Sequence, residues 1–189
     1  MVMASGPYCL TGSWRYKIPK LRHDVAKTVK EESLNKGRKL IVGGALEADF
    51  IATKVLLNGL ESLEGLEKFL EIHIPAQTLG DYLAHYGKKF EDGEISYEQA
   101  TTIPKQLYKL NKDHPKAFVF LQGAREDIGR FNYYRRIMQQ VENSTELRAF
   151  QVGDSQGVGF AIDYALQKDI PVHLERYPKP ENKEDIEKN

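Results

Sequence analysis

An α/β fold on a mostly parallel sheet follows from three observations. Short apolar runs alternate with segments of helical apolar spacing along the chain, the pattern of βαβ units. The runs are continuous rather than alternating, as in strands covered on both faces. Three of them end in polar glycine turns, which a parallel sheet collects at its carboxyl edge.

The elements are justified in order. Residues 1–7 read as a start segment, and "PYCLTGSW" is an apolar run ending at Gly12 and Ser13. Leu21 to Lys36 places Leu21, Val25, Val29 and Leu34 at roughly helical spacing, with Gly37 suited to the C-terminal cap. Leu40 to Val42 is a brief buried strand, turned by Gly43 and Gly44. Ala45 to Leu57 then has an apolar helical pattern, stopped by Asn58 and Gly59. "FLEIHIPAQ" is the third strand, and "KAFVFLQG", Lys116 to Gly123, is the most continuous. "ELRAFQVG", a helix from about Gly157 to Gln167, and "IPVHL" complete the alternation.

Residues 76–115 interrupt it. A structureless connection of that length is uncommon in a compact domain, so the segment is read as a helical insertion beside the sheet. Thr78 is placed to cap "LGDYLAHYGKKF", and Ser96 with Gln99 has the spacing of a capping box. Pro104 is expected to interrupt or restart the second helix before "KQLYKL". Residues 178–189 are charged and without apolar periodicity, the composition of a disordered tail.

Composition bounds the function classes. The 27 basic and 27 acidic residues balance, which argues against a general electrostatic grip on nucleic acid. The single Cys9 rules out an intrachain disulfide framework, and its apolar run makes it a core residue. No apolar run approaches the roughly 18 residues of a membrane span, and the N-terminus lacks a signal-peptide pattern. A cytoplasmic protein is the expectation. The five histidines are scattered, with no pair at i, i+3 or i, i+4, so no metal site and no cofactor are expected. There is no GxSxG elbow, no Walker pattern and no dinucleotide fingerprint.

The turns carry the chemistry. They are Gly12-Ser13-Trp14-Arg15, Gly43-Gly44-Ala45 and Gly153-Asp154-Ser155-Gln156-Gly157. Glycines let a backbone approach a ligand closely, and the N–H groups opening the next helix attract anions. Ser13 and Ser155 offer hydroxyls, and Arg15 suits a phosphate. A lone turn of this kind is usually just a helix start; three on one edge point to a site. Asp49 reads equally as surface or site. In "REDIGRFNYYRRIMQQV", Arg125, Arg130, Arg135 and Arg136 surround Asn132, Tyr133 and Tyr134. Arg130 and Asn132 fall nearest the helix start, whereas Arg135 and Arg136 read more simply as a solvated basic face. An aromatic there suits stacking on a base beside an arginine-held phosphate.

The order "TGSWR", "LIVGGALEADFIATKVLL", "GRFNYYRRIMQQV", "LRAFQVGDSQGVGFAIDYALQKDIPV" resembles the SLOG superfamily, particularly its YpsA-type branch, and its last segment resembles nucleoside 2-deoxyribosyltransferases. The resemblance implies a Rossmann-like three-layer sandwich over residues 8–177. It implies a nucleotide or ADP-ribose-like ligand held as by a sensor, carrier or sequestering protein. By position, Gly12, Ser13, Arg15, Gly43, Gly44, Asp49, Ser155 and Gly157 match the family's turns, Arg130 and Asn132 match its arginine–asparagine element, and Gln156 lies between Ser155 and Gly157. The sequence departs from the N-glycosidic enzymes of this group. Val158 stands at their threonine position, and Gly159, Phe160 and Ala161 stand where an acidic residue is expected. An oxocarbenium-like transition state needs such a carboxylate, and only Asp154 or Asp163 is near enough to replace it. A glycosidase or ribosyltransferase using those two is therefore the alternative. A single-strand nucleic-acid binder is the second alternative, because the superfamily has a DNA-processing branch; the balanced charge makes nucleic acid an unexpected partner. Relatives of this fold pair, and Leu79, Tyr82, Leu83, Tyr86 and Phe90 offer a face for a homodimer or an internal core.

Overall fold

The computed structural model describes residues 6–180. The predicted tail lies outside the described residues from position 181 onward. Among the described residues six strands form one sheet: β1 (Tyr8–Gly12), β2 (Leu40–Val42), β3 (Leu70–Ile74), β4 (Phe118–Phe120), β5 (Glu146–Val152) and β6 (Val172–Tyr177). Their order is β4-β3-β2-β1-β5-β6, and every pairing is parallel. The helices are α1 (Pro19–Val29), α2 (Ala48–Gly59), α3 (Leu79–Glu91), α4 (Tyr97–Asp113), α5 (Arg130–Glu142) and α6 (Gln156–Gln167). The α/β class, the parallel sheet and the three-layer arrangement follow as expected.

The pleat sorts the core. Alternate residues of a strand face opposite sides of the sheet. Tyr8 and Leu10 of β1, with Phe150 and Val152 of β5, join the larger apolar cluster with α1 and α2. Cys9, Leu147 and Ala149 face the other way, into a smaller cluster with Val141 of α5 and Ala161 of α6. Burial pushes the Cys9 thiol well up, so it is an inert core group.

The helix after β1 widens into a π-helical segment, Lys30–Asn35, before Gly37 ends it at φ +68°. That widening turns Glu32 and Ser33 into the interior at the amino edge of the sheet. Glu32 there accepts from Arg38 at 2.7 Å, Lys36 at 2.8 Å and Arg148 at 3.0 Å. Burial disfavours its charge, but the Lys36 and Arg38 bonds outweigh it and leave the carboxyl below its ordinary value.

Helices α3 and α4 occupy the β3–β4 crossover, so the insertion is part of a βαβ connection. Thr78 accepts from the Asp81 N–H, and Ser96 with Gln99 forms both bonds of a capping box. The expectation at Pro104 is corrected: α4 runs unbroken from Tyr97 to Asp113 through it. One lost backbone bond is tolerated because Ile103, Leu107 and Leu110 anchor the helix on the core. Among the described residues no helix is long and apolar enough to cross a membrane.

Candidate functional site

The strand order places the three glycine turns side by side, after β2, β1 and β5. The chain departs from β1 toward β2 on one side, and β5 and β6 lie on the other. The switch point is therefore between β1 and β5, where open α/β sheets hold ligands.

At the first turn, a Cβ on Gly12 would sit 2.4 Å from the Ala48 Cβ, so glycine lets α2 start against the strand end. Ser13 staples the switch point shut: its N–H donates to the Phe150 carbonyl at 3.0 Å, and its Oγ accepts from Val152 N–H at 2.9 Å. Trp14 is half-buried against the core, and Arg15 points outward. The exposed Arg15 guanidinium lies 5.1 Å from the Trp14 ring centroid and has no ion pair among the described residues.

The second turn is latched from below. Asp49 accepts from the N–H groups of Gly43 (3.0 Å) and Ala45 (3.2 Å), while Arg136 Nη1 donates to the Gly43 carbonyl at 2.7 Å. A side chain on Gly43 would meet that guanidinium at 1.9 Å. Burial raises the Asp49 carboxyl above its ordinary value, against the opposing pull of Arg136 and the two backbone bonds. Gly44, at φ +63°, faces Ile72 and Ile74 of the core. Gly43 and Gly44 shape the turn and do not line the cavity described next.

At the third turn, Ser155 begins α6 without a side-chain cap bond. Gln156 accepts from Arg130 Nη2 at 2.9 Å, joining the starts of α5 and α6. Gly157 has open space where a Cβ would stand.

These turns floor a cavity of about 330 Å³. Gly12, Arg15, Asp49, Arg130, Ser155 and Gly157 line it, as do Tyr82, His85, Tyr86 and Lys89 of α3 and Tyr133 of α5. His85 Nε2 bonds the Tyr133 hydroxyl at 3.1 Å. Burial, then the Lys89 charge, lowers the imidazole below its ordinary value, so it is neutral at pH 7. Two open grooves join the cavity at Trp14 and Arg15: one runs past Lys17, Ser96 and Gln99, the other past Ser13, Asp154, Gln156 and Lys179. Arg15 is on the lining of all three.

Not every predicted residue reaches this space. Asn132 is wholly buried and bonds the backbone of Arg125, donating to its carbonyl at 2.8 Å and accepting from its N–H at 3.0 Å. Asp163 is exposed on α6 and lines none of the three spaces, and Asp154 lines only an outer groove. The one carboxylate lining the cavity, Asp49, already holds two backbone N–H groups. Among the described residues the cavity itself thus offers no free carboxylate for the glycosidic alternative. Tyr82 and Tyr86 are buried in the crossover and so leave the expected dimer face. Arg136, read as a solvated charge, is 6% exposed. Sequence reasoning missed the α3 wall; the signal was Tyr82, His85 and Tyr86 at i, i+3, i+4, one helix face.

No family model and no curated protein matches the chain. Solved structures share the fold. DNA processing protein A from Helicobacter pylori, described with a single-stranded DNA binding mode, superposes with TM-score 0.61 at 13% identity, over 90% of this chain and 65% of that one. DNA processing protein A from Streptococcus pneumoniae superposes with TM-score 0.55 at 13% identity, over 90% and 50%. The chain spans between half and two thirds of the length of these structures.

These neighbours correct the sequence reading. The resemblance to the SLOG superfamily, its YpsA-type branch and the deoxyribosyltransferases finds no support among families or curated proteins, and the fold is shared with DNA-processing proteins. The expectations of a nucleotide or ADP-ribose-like small ligand, and of nucleic acid as an unexpected partner, are overturned with it. The physical reason is charge segregation. A zero net charge conceals a basic carboxyl edge: of the cations lining the three spaces, Lys17 pairs with Glu98, Lys89 with Glu94, and Arg136 faces Asp49, which leaves Arg15, Arg130 and Lys179 without a carboxylate partner among the described residues.

Proposed function

We propose that this chain binds single-stranded nucleic acid along the carboxyl edge of its sheet, without strong sequence preference. The observation that carries the reading is Arg15: an exposed, unpaired guanidinium on Trp14, where the cavity and both grooves meet. A backbone phosphate at Arg15 places flanking nucleotides in the grooves, beside Lys17 on one side and Lys179 on the other. Trp14 and Tyr134 line both the cavity and an outer groove and are the rings within reach of unstacked bases, a stack being worth about 1–3 kcal/mol in such sites; one face of Tyr134 already stacks on Phe160. The N-termini of α5 and α6, without side-chain caps or acidic first turns, add favourable partial charge for phosphate. Two DNA-processing proteins of the same fold support the choice of polymer over free nucleotide.

Fluorescence anisotropy with labelled oligothymidylate and with a blunt duplex tests it. The wild type is expected to bind the single strand more tightly, with affinity falling as salt rises. Arg15→Ala is expected to weaken binding by about 1.5–3 kcal/mol, the range for a bond to a charged group. Undetectable single-strand binding, or unchanged affinity in Arg15→Ala, overturns the proposal.

A further inference from the structure

Outside the cavity and its grooves, a second basic and aromatic cluster lies on the loop before α5 and on the first turns of that helix. The Arg125 guanidinium sits 3.9 Å from the ring centroid of Phe131, and that of Arg135 sits 5.5 Å from the same ring. Phe131 is 41% exposed. Neither arginine forms an ion pair among the described residues, although Glu126 and Asp127 follow Arg125 directly in the chain.

The fold holds this arrangement in place. Wholly buried Asn132 clamps both backbone groups of Arg125, fixing where its side chain starts. Arg135 Nη1 donates to the carbonyl of Gly123 in the same loop at 3.1 Å. Two guanidinium groups are thus held at one exposed ring without a carboxylate between them. A phosphate at the exposed ring lowers the cost of holding two like charges near it and can accept a bond from either guanidinium. Arg130 stands one residue before Phe131, lines the cavity and bonds Gln156, so the platform continues the proposed path.

We propose that Arg125, Phe131 and Arg135 form a second contact for the single strand, engaging phosphates of nucleotides beyond those in the cavity. The inference rests on the reading of the carboxyl edge as a single-strand site. It predicts a length dependence that the cavity alone does not produce.

The test titrates labelled oligothymidylates of about 4 to 16 nucleotides, the range covered by single-strand modules, against the wild type and Arg125→Ala/Arg135→Ala. The shortest oligomers that bind the wild type are expected to bind the variant equally. The longer ones are expected to bind about tenfold more weakly at low salt. For these, the slope of log affinity on log salt becomes shallower by about 0.7 per lost phosphate contact. Arg125→Lys/Arg135→Lys keeps both charges and is expected to recover most of that slope. A loss equal at every length, or at none, overturns the platform and leaves the cavity reading standing. A wild type that binds no oligothymidylate overturns both.

Discussion

Replacing Arg136 by methionine tests how the site is built. The side chain is 6% exposed, donates to the Gly43 carbonyl at 2.7 Å, and is the charge that offsets the buried Asp49. Methionine fills similar volume but leaves a carbonyl without its donor and a carboxylate without its counter-charge. Breaking a buried charged arrangement from one side costs about 3–5 kcal/mol, and an unpaired carbonyl accounts for about 1–3 of that. Two-state urea denaturation at pH 7.5 measures the loss. The sign with pH follows from Asp49. Its folded carboxyl is already raised, and loss of Arg136 raises it further. Stability is therefore retained below the unfolded carboxyl's ordinary value and lost as pH rises through the folded one. The cost of Arg136→Met is expected to shrink at pH 5, and Asp49→Asn in the same chain is expected to recover part of it at pH 7.5. A cost below about 1 kcal/mol, or one independent of pH, refutes the latch.

Two further outcomes are expected. Glu71, bonded by His73 at 2.7 Å and then by Lys39, has its carboxyl lowered from the ordinary 4.5 to about 2. Linkage at 1.36 kcal/mol per pH unit makes this about 3 kcal/mol of stability, present above pH 4.5 and lost as pH falls toward 2. The stability gap between wild type and Glu71→Gln in urea should narrow over that window; a constant gap sinks the assignment. Gly157→Val places a branched side chain in open space on the cavity lining. Its melting temperature should stay near wild type while oligothymidylate binding weakens at least tenfold, and wild-type binding would remove the third turn from the site.

The fold was legible because each strand is a short apolar run bounded by turn residues, and the three glycine turns mark their own strand ends. The caps at Thr78 and Ser96 were legible for the same reason: each is a local bond between residues three apart. What local pattern does not contain is the partner across the sheet. Asn132 reads as a ligand residue beside Arg130, yet its amide meets a backbone seven positions earlier. Asp49 reads as surface or site, yet its carboxylate turns back to the loop before its own helix. Arg136 reads as a solvated charge, yet it crosses to Gly43, 93 positions away. The α3 wall was hidden in a different way. Tyr82 and Tyr86 have helical spacing, but nothing local says whether that face meets a second chain, the core or a ligand.

The balanced composition misled because a net charge says nothing about which charges neutralise each other. At the amino edge the carboxylates are matched: Glu32 with Arg38, Lys36 and Arg148, Glu146 with Arg38 and Arg148, and Glu71 with Lys39. Paired charges contribute little field at the far side of the sheet, since opposite signs a few ångströms apart cancel within a Debye length. At the carboxyl edge Arg15, Arg125, Arg130 and Arg135 have no carboxylate partner among the described residues, so their field reaches solvent. A polyanion meets that edge before it meets the average. The same arrangement makes the site more salt-sensitive than a neutral chain suggests. The Glu32–Arg38 pair of the amino edge is protected by burial, while the arginines of the carboxyl edge lie open to screening by salt.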